Sequence, residues 1–348
     1  MSLRLLPLLA LSAFAAGPLF AQTSPERSYD AADADFRRRL EAQRGGAAVK
    51  SPETSVPTLY EGELEDVGPQ MLLLENPPHR WFFADADLQN YYTSNAALAD
   101  SATWSDVTVF TAGAGVNGKP LDTAGGKLAL SGGYRYQTFQ YGLLSGRADH
   151  TLADSAGVKL DRLDFSTHTG RLDADWTRGG WSAGVSGRYT AYIQDSDGKT
   201  TYQEWVPSVR GGYRFTLSER DFLSVDLDAA YRFTRTPRSA AGLSVEGDRY
   251  DRYDLGASVA YTHVFGSSFL LRPAYRFQYS DFTEGGAIIR PTNDRDDFLH
   301  TLSLTAGYYY NRNVSVRVFG SCEFRESDEA ADYSNVNAGA GAMVALTF

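Results

Sequence analysis

Residues 181–194 read WSAGVSGRYTAYIQ, and the chemical character of the side chains changes at every step. One side of this segment is polar or small, and the other carries Trp181, Ala183, Val185, Gly187, Tyr189, Ala191 and Ile193. Successive side chains of a β-strand point to opposite faces, so the alternation predicts a strand with one apolar and one polar face. The segment is long enough to cross a bilayer when tilted, which takes about 9 to 11 residues.

The same alternation returns from residue 80 to the end of the chain. We predict twelve strands, at residues 80–93, 105–117, 126–141, 160–177, 181–194, 201–217, 222–235, 250–265, 269–282, 297–310, 314–326 and 335–348. Strands of soluble sandwiches are usually about 5 to 6 residues long. An even number of longer strands therefore favours an all-β fold, a transmembrane antiparallel up-and-down β-barrel, over a soluble sandwich whose apolar faces pack on each other.

The connections between the predicted strands alternate between short and long. Short links lie at residues 178–179, 219–221, 266–268 and 311–313, and longer polar links lie at 142–159, 195–200, 236–249, 283–296 and 327–334. Outer-membrane barrels have short periplasmic turns and longer extracellular loops, and we predict that arrangement here. The link 118–125 departs from it, because it is long where the alternation requires a tight periplasmic turn.

The fourth predicted strand is less regular than the others. Its apolar face moves from Leu163 and Phe165 to Leu172, Ala174 and Trp176, which differ in parity. A single extra residue in a strand reverses the faces, so the shift predicts a β-bulge near residue 170.

Aromatic residues gather beside the short links. Trp176 and Trp181 flank one link and are expected to pair across their hairpin. Tyr and Trp are enriched where a membrane barrel meets water. We predict that six residues form one rim of an aromatic girdle: Trp176, Trp181, Phe265, Phe269, Tyr308 and Tyr310.

The chain ends in AGAMVALTF at residues 340–348, with apolar side chains at Val344, Leu346 and Phe348. This ending resembles the C-terminal strand that the barrel assembly machinery recognises in bacterial outer-membrane β-barrel proteins. With the strand pattern, it makes residues 80–348 similar to porin-like barrels as a class, although not to one close family. The resemblance implies insertion into the outer membrane of a Gram-negative bacterium, in contact with lipid and lipopolysaccharide.

The first 79 residues lack the strand pattern. Residues 1–21 carry Arg4, an apolar run and a small-residue stretch that offers cleavage after Ala21, which predicts a secretory signal peptide. Residues 22–79 are polar and rich in proline, so we predict a mostly extended or disordered periplasmic arm. The predicted barrel occupies residues 80–348.

Composition excludes several classes of protein. The chain has 33 Lys and Arg against 43 Asp and Glu, a net charge of −10, which argues against a nucleic-acid partner. Its mean hydropathy of −0.34 is too low for a helical membrane protein but suits a barrel in which polar and apolar residues alternate. The single cysteine, Cys322, cannot form an intramolecular disulfide.

If the apolar faces contact lipid, the alternate positions point into the lumen. The lumen-lining candidates are Arg188, Arg210, Arg214, Asp226, Asp228, Arg232, Arg272, Arg276 and Arg317. Counting from the short links places Arg188, Arg210, Arg232 and Arg276 near mid-height as a basic belt. Pairing residue 218 with residue 222 sets Arg214 opposite Asp226 and predicts a salt bridge between them.

Two interpretations of this belt stay open. Guanidinium groups around a water-filled lumen would favour small anionic solutes, which suits a passive channel for small hydrophilic molecules. Alternatively, arginines and carboxylates would pair and fill a narrow lumen. The protein would then be a closed structural or adhesive barrel whose loops or N-terminal arm bind partners.

No catalytic or metal-binding constellation stands out. The five histidines are His79, His150, His168, His263 and His300, and none has a serine placed as in a nucleophilic pair. The acidic pair Asp85 and Asp87 and the pair Asp149 and His150 only superficially resemble those of outer-membrane proteases of the omptin type. Residues 195–198 begin like a calcium loop but lack its other ligands. We expect no enzymatic activity, no cofactor and no bound metal.

Overall fold

The computed structural model describes residues 79–98, 102–123, 125–151, 159–195, 198–235, 250–266, 268–283, 295–311, 313–328 and 332–348. The predicted signal peptide, residues 1–21, lies outside these residues. So does the predicted arm, residues 22–79, except for its last residue, His79.

The described part of the chain consists of β-strands and one turn of 3-10 helix, Leu160–Leu163. The strands are β1 Phe82–Thr93, β2 Ser105–Asn117, β3 Leu121–Thr123, β4 Gly126–Tyr141, β5 Phe165–Arg178, β6 Trp181–Gln194, β7 Lys199–Thr216, β8 Asp221–Arg235, β9 Arg252–Phe265, β10 Phe269–Phe282, β11 Asp296–Tyr309, β12 Val314–Ser327 and β13 Tyr333–Thr347. Within these residues, no helix has the length and apolar character needed to span a membrane.

Twelve of the strands close into an antiparallel barrel, as the sequence predicted. Each long strand pairs with its neighbours along the chain, β2 pairs with β4, and β1 pairs with β13 to complete the ring. The three-residue strand β3 pairs with β4 beyond the end of the β2 ladder, where Leu121 faces Leu128. The unexpectedly long link 118–125 therefore folds back and lengthens its own hairpin.

The links sort to two ends of the barrel, which we name the short-turn end and the long-loop end. At the short-turn end, β5 and β6 are joined by a two-residue turn in which Gly179 has φ 57°. Two-residue hairpins need positive φ, which glycine adopts without steric cost. The N-terminal residue of β1 and the C-terminal residue of the chain also lie at this end, where Phe82 and Phe348 exchange backbone hydrogen bonds of 2.9 and 3.0 Å.

The outer surface of the barrel is an uncovered apolar belt. Its exposed residues include Leu172 at 68%, Val318 at 62%, Leu227 at 61% and Leu255 at 53% exposed, at alternate positions of their strands. A soluble monomer rarely exposes a large contiguous apolar surface, whereas a membrane barrel needs one around its whole circumference. The fold is a transmembrane β-barrel.

Strand β5 differs from the prediction at its beginning. It starts at Phe165 and keeps one register with β4 and β6 along its length, so the bulge predicted near residue 170 was wrong. Phe165 points inward and is 4% exposed, and Leu163 belongs to the 3-10 turn. The apparent change of face arose because these two apolar side chains pack inside the barrel rather than against lipid. An irregular register lies instead between Tyr192 and Ile193, where β6 pairs with β7.

Candidate functional site in the barrel lumen

The inner wall of the barrel carries eleven arginines and ten carboxylates among the described residues. The arginines are Arg135, Arg171, Arg188, Arg210, Arg214, Arg232, Arg252, Arg272, Arg276, Arg317 and Arg325, and the carboxylates are Asp85, Asp87, Asp173, Asp175, Glu204, Asp226, Asp228, Asp254, Asp297 and Glu323. The nine residues predicted to line the lumen all lie on this side. Positive and negative side chains are nearly equal in number, so most of them can form ion pairs across the inner wall.

Two buried carboxylates hold three arginines at the long-loop end of the lumen. Glu204 accepts hydrogen bonds from Arg232 at 2.8 Å and from Arg188 at 3.1 Å. Asp254 accepts one from Arg232 and one of 3.0 Å from Arg252. Glu204, Asp254 and Arg232 are between 3% and 6% exposed. A buried charge is costly unless it is paired, so these five side chains stabilise one another only as a set.

A second ion pair spans a strand that lies between the paired residues. Arg210 of β7 donates to both carboxylate oxygens of Asp175 of β5, at 2.6 and 2.7 Å. Both residues face Gly184 of the intervening strand β6. A Cβ atom at Gly184 would lie 2.4 Å from the Asp175 Oδ1 atom, so only glycine leaves room for the pair to close over the strand.

The same arrangement occurs across β9. Arg276 of β10 donates to the two oxygens of Asp228 of β8 at 2.7 and 2.9 Å, and a Cβ at Gly256 of β9 would lie 2.6 Å from Asp228 Oδ1. At the barrel seam, Arg317 of β12 donates to both oxygens of Asp87 of β1 at 2.7 Å. Asp87 and Asp175 were not among the predicted lumen residues. Their alternation with alanine, ADAD at residues 84–87 and DAD at 173–175, is the local signal that would have found them.

Water reaches one wall of the lumen more than the other. The side chains of Arg171 and Arg210 are 51% and 45% exposed, whereas those of Arg317 and Asp87, across the ring, are 3% and 8% exposed. The inward charges that are not buried are six arginines and four aspartates: Arg135, Arg171, Arg188, Arg210, Arg214, Arg276, Asp85, Asp175, Asp226 and Asp228. The water-accessible part of the wall therefore has an excess of positive charge.

Aromatic side chains fill one side of the lumen near the long-loop end. The rings of Phe139 and Phe165 stack at 4.6 Å, and Tyr192 lies 6.1 Å from Phe165. Tyr202 continues the row at 5.3 Å from Tyr192. All four are at most 7% exposed and belong to one core cluster. The lumen is thus narrowed at this end by a row of rings on four consecutive strands.

Two details of the predicted basic belt were wrong. Arg232 lies at the long-loop end, because it faces Arg252 in the last pair of the β8 and β9 ladder, and not at mid-height. Arg214 faces Ser224, and Asp226 faces residue 212, so the register behind the predicted salt bridge was shifted by two residues. The shift arises because the turn is centred on residue 219 and not on residue 220: Thr216 faces Phe222, and the Leu217 N–H donates to the carbonyl of residue 221.

The predicted aromatic rim lies on the outer surface beside the short turns. Trp181 is 61%, Tyr310 75%, Phe265 48%, Tyr308 47% and Phe269 37% exposed. Phe265 and Phe269 pair at 5.4 Å. An outward position beside the short turns is what the predicted aromatic girdle requires.

The predicted pairing of the two tryptophans was wrong. Trp176 faces Ala183, whereas Trp181 faces Arg178 and packs edge-on against Tyr213 at 4.7 Å. The two-residue turn sets this register, which leaves the tryptophans on different levels of the hairpin.

The last strand combines lipid contact with ring closure. Val344 and Leu346 are each 46% exposed on the outer face, and Phe348 is 65% exposed. The Phe348 ring stacks on Phe82 at 6.3 Å. The three residues of the predicted assembly signal thus lie on the outer surface of the β1 and β13 seam.

Two of the five histidines contact tyrosine hydroxyl groups on the outer face. His168 faces outward, with its Nδ1 atom 2.5 Å from the hydroxyl of Tyr134, and His300 lies likewise 2.8 Å from Tyr275. Asp149 pairs with Lys159 at 2.6 Å. The described ranges contain no group of three or more histidine, cysteine and acidic side chains placed to hold a metal ion. Residues 196 and 197 of the calcium-like segment lie outside those ranges.

Comparison with known proteins gives similarity of fold at low sequence identity. No protein-family model and no curated protein sequence matches the chain. An outer membrane channel from Pseudomonas putida F1 is 13% identical, with 80% of this chain and 100% of that chain covered and a TM-score of 0.47. The transport unit of the autotransporter AIDA-I from Escherichia coli is 14% identical, with 79% and 92% covered and a TM-score of 0.45. The KdgM porin is 12% identical, with 74% and 97% covered and a TM-score of 0.33.

Proposed function

We propose that this barrel is an outer-membrane channel for small hydrophilic solutes, with a weak preference for anions. The observation that carries the proposal is the water-accessible wall inside the apolar belt. The side chains of Arg171 and Arg210 are 51% and 45% exposed there, although they lie inside the ring of strands. Charged side chains around a hydrated passage select solutes by sign and size.

The preference for anions is weak because most lumen charge is neutralised. Arg210 is paired with Asp175, Arg276 with Asp228 and each buried arginine of the Glu204 network with a carboxylate. Only the excess of arginines over aspartates on the accessible wall gives the passage a positive potential. A closed network of ion pairs also keeps the wall in shape without contributing selectivity.

The orientation follows from the arrangement of the links. We propose that the short turns and the arm at residues 22–79 face the periplasm and that the longer loops face outside, among lipopolysaccharide. Val344, Leu346 and Phe348 lie on the outer surface, and this position supports their recognition by the barrel assembly machinery during insertion.

The charge of Arg171 is expected to set part of the selectivity. In planar bilayers with a salt gradient, the mature protein should conduct in discrete steps with a reversal potential that favours anions. Arg171→Glu should lower the ratio of anion to cation permeability by about two-fold or more, because it reverses a charge on the accessible wall. The matched control is Arg178→Glu, the same change on the same strand but at its exposed short-turn end, which should leave the ratio unchanged.

Each other result of that experiment is informative. Steps that favour cations in the unmodified protein would keep the channel and contradict its anion preference. An inserted barrel without conductance in any variant would contradict the channel.

A closed barrel whose loops bind partners is the second candidate function. The row of rings from Phe139 to Tyr202 favours it, since these residues and the adjacent Glu204 network are buried where the passage would have to open. In that case the ion pairs would serve only to stabilise the wall.

A further inference from the structure

A short apolar turn enters the lumen at the long-loop end. The 3-10 turn Leu160–Leu163 precedes β5, and its two leucines are 0% and 4% exposed. Both belong to the same core cluster as Phe139, Phe165 and Tyr192. We name residues 159–164, which carry these leucines, the lumen strap. The leucines complete the row of rings that narrows this end of the passage.

The lumen strap is held by hydrogen bonds at both of its ends, to the loop that follows β4 at its beginning and to the barrel rim at its end. At its beginning, the Leu160 N–H donates to the carbonyl of His150 at 2.9 Å. At its end, Asp164 Oδ1 accepts a 2.8 Å hydrogen bond from the backbone N–H of Tyr141, and the Asp164 carbonyl accepts one from the N–H of Asp195. Asp164 thereby joins the strap to the last residue of β4 and to the residue after β6.

The residues that precede the strap are also anchored to the rim. The carboxylate of Asp106, on β2, accepts hydrogen bonds from the N–H groups of Leu144 and Ser145 at 2.8 and 3.1 Å. The Arg147 guanidinium lies 3.7 Å from the ring centroid of Trp104. The chain that leaves β4 is therefore anchored at residues 144–147, and Asp164 attaches the other end of the strap.

From this geometry we propose that the lumen strap is the constriction element of the barrel, with Leu160 and Leu163 limiting solute size and Asp164 hooking the strap in place. The size limit rests on the channel function proposed above. The attachment of the strap does not, and it is tested separately.

Attachment is measured through the accessibility of a thiol placed in the strap. The full mature chain carries Leu163→Cys in a Cys322→Ala background, so that the introduced thiol is the only one. Its rate of modification by a charged, water-soluble maleimide is followed in lipid vesicles. Asp164→Asn keeps an oxygen acceptor for the Tyr141 N–H, and Asp164→Ala removes it. We expect modification about tenfold faster with alanine than with asparagine, the equivalent of one hydrogen bond.

A matched control and a second readout complete the test. Asp122→Ala removes an exposed carboxylate of β3, at the short-turn end and away from the strap, and should leave the rate unchanged. Equal rates for the alanine and asparagine variants of residue 164 would overturn the hook. Leu163→Ala should raise single-channel conductance, and conductance unchanged from that of the unmodified channel would overturn the constriction. A change in thiol accessibility without conductance in any variant would keep the hook and reject the channel.

The hook is also expected to respond to pH. Burial is the largest cause that raises the pKa of Asp164, to about 6, and Asp195 and Asp161 raise it further, while the hydrogen bond from the Tyr141 N–H opposes them. The phenol of Tyr141 also interacts with the Asp164 carboxyl.

The sign of the pH response follows from that raised pKa. The neutral carboxyl is favoured in the attached strap, so attachment is firmest at pH values below the ordinary aspartate value and weakens as pH rises through 6. Relative to the Asp164→Asn variant, thiol modification in the protein that keeps Asp164 should rise between pH 5 and pH 7.5. The shift in pKa alone corresponds to about tenfold, and we expect about three- to fivefold because the carboxyl is half-exposed. A constant ratio over this range would contradict the pH response.

Discussion

Replacement of Asp254 by alanine is expected to lower the free energy of unfolding of the barrel by about 3 to 5 kcal/mol. Asp254 is 3% exposed and accepts hydrogen bonds from Arg232, Arg252 and, at 2.6 Å, Ser280. Without the carboxylate, Arg232 retains Glu204, but the Arg252 guanidinium loses the carboxylate that it contacts at 3.0 Å. Removing a carboxylate that buried arginines share is costly, so the loss exceeds that of an ordinary hydrogen bond.

The measurement is urea-induced unfolding in phospholipid vesicles, followed by tryptophan fluorescence. The matched control is Asp228→Ala, which breaks the pair with Arg276 but at a position where the two side chains are 30% and 24% exposed. That loss should be about 1 kcal/mol or less, because water solvates the group left behind. Equal losses at the two positions would contradict the inference that Asp254 lies in a dry part of the lumen and Asp228 in a part that water reaches.

The fold could be predicted because its signal is local. Lipid on one side and a lumen on the other impose a period of two on every strand, so each segment such as 181–194 reports its own two faces. The predicted strand 160–177 was wrong at its beginning, which contains Leu163 and Phe165. Both are apolar for a different reason, since they pack inside the barrel. A hydrophobic pattern does not distinguish lipid contact from burial in the lumen.

The partners of the lumen charges could not be predicted because they depend on register between strands. A turn centred one residue earlier than predicted moved Arg214 away from Asp226. The ion pair between Arg210 and Asp175 is even harder to predict from the sequence, because it joins two strands that are not adjacent. The pair forms because Gly184 has no side chain to separate the two residues above β6. Arg210 and Asp175 are 35 positions apart in the chain.

Leu227→Arg tests the membrane placement of the whole belt. Leu227 lies near the middle of β8 and is 61% exposed on the outer face. Its cross-strand neighbours are Gly211 and Ala257, which offer no carboxylate to a new guanidinium. An arginine at the bilayer midplane of a barrel costs about 2 to 4 kcal/mol, and we expect the free energy of unfolding in vesicles to fall by that amount.

In a membrane barrel the cost of an outward arginine falls from the bilayer midplane toward the interface, whereas on a water-facing surface it does not depend on position. Phe269→Arg introduces the same side chain on the outer face beside a short turn, where the cost in a membrane barrel is about 0 to 1 kcal/mol. On a water-facing surface, both substitutions would change stability by only about 0.5 kcal/mol in either direction. A large loss at Leu227 with a small one at Phe269 therefore requires lipid around the belt, whereas two small losses would contradict the transmembrane assignment.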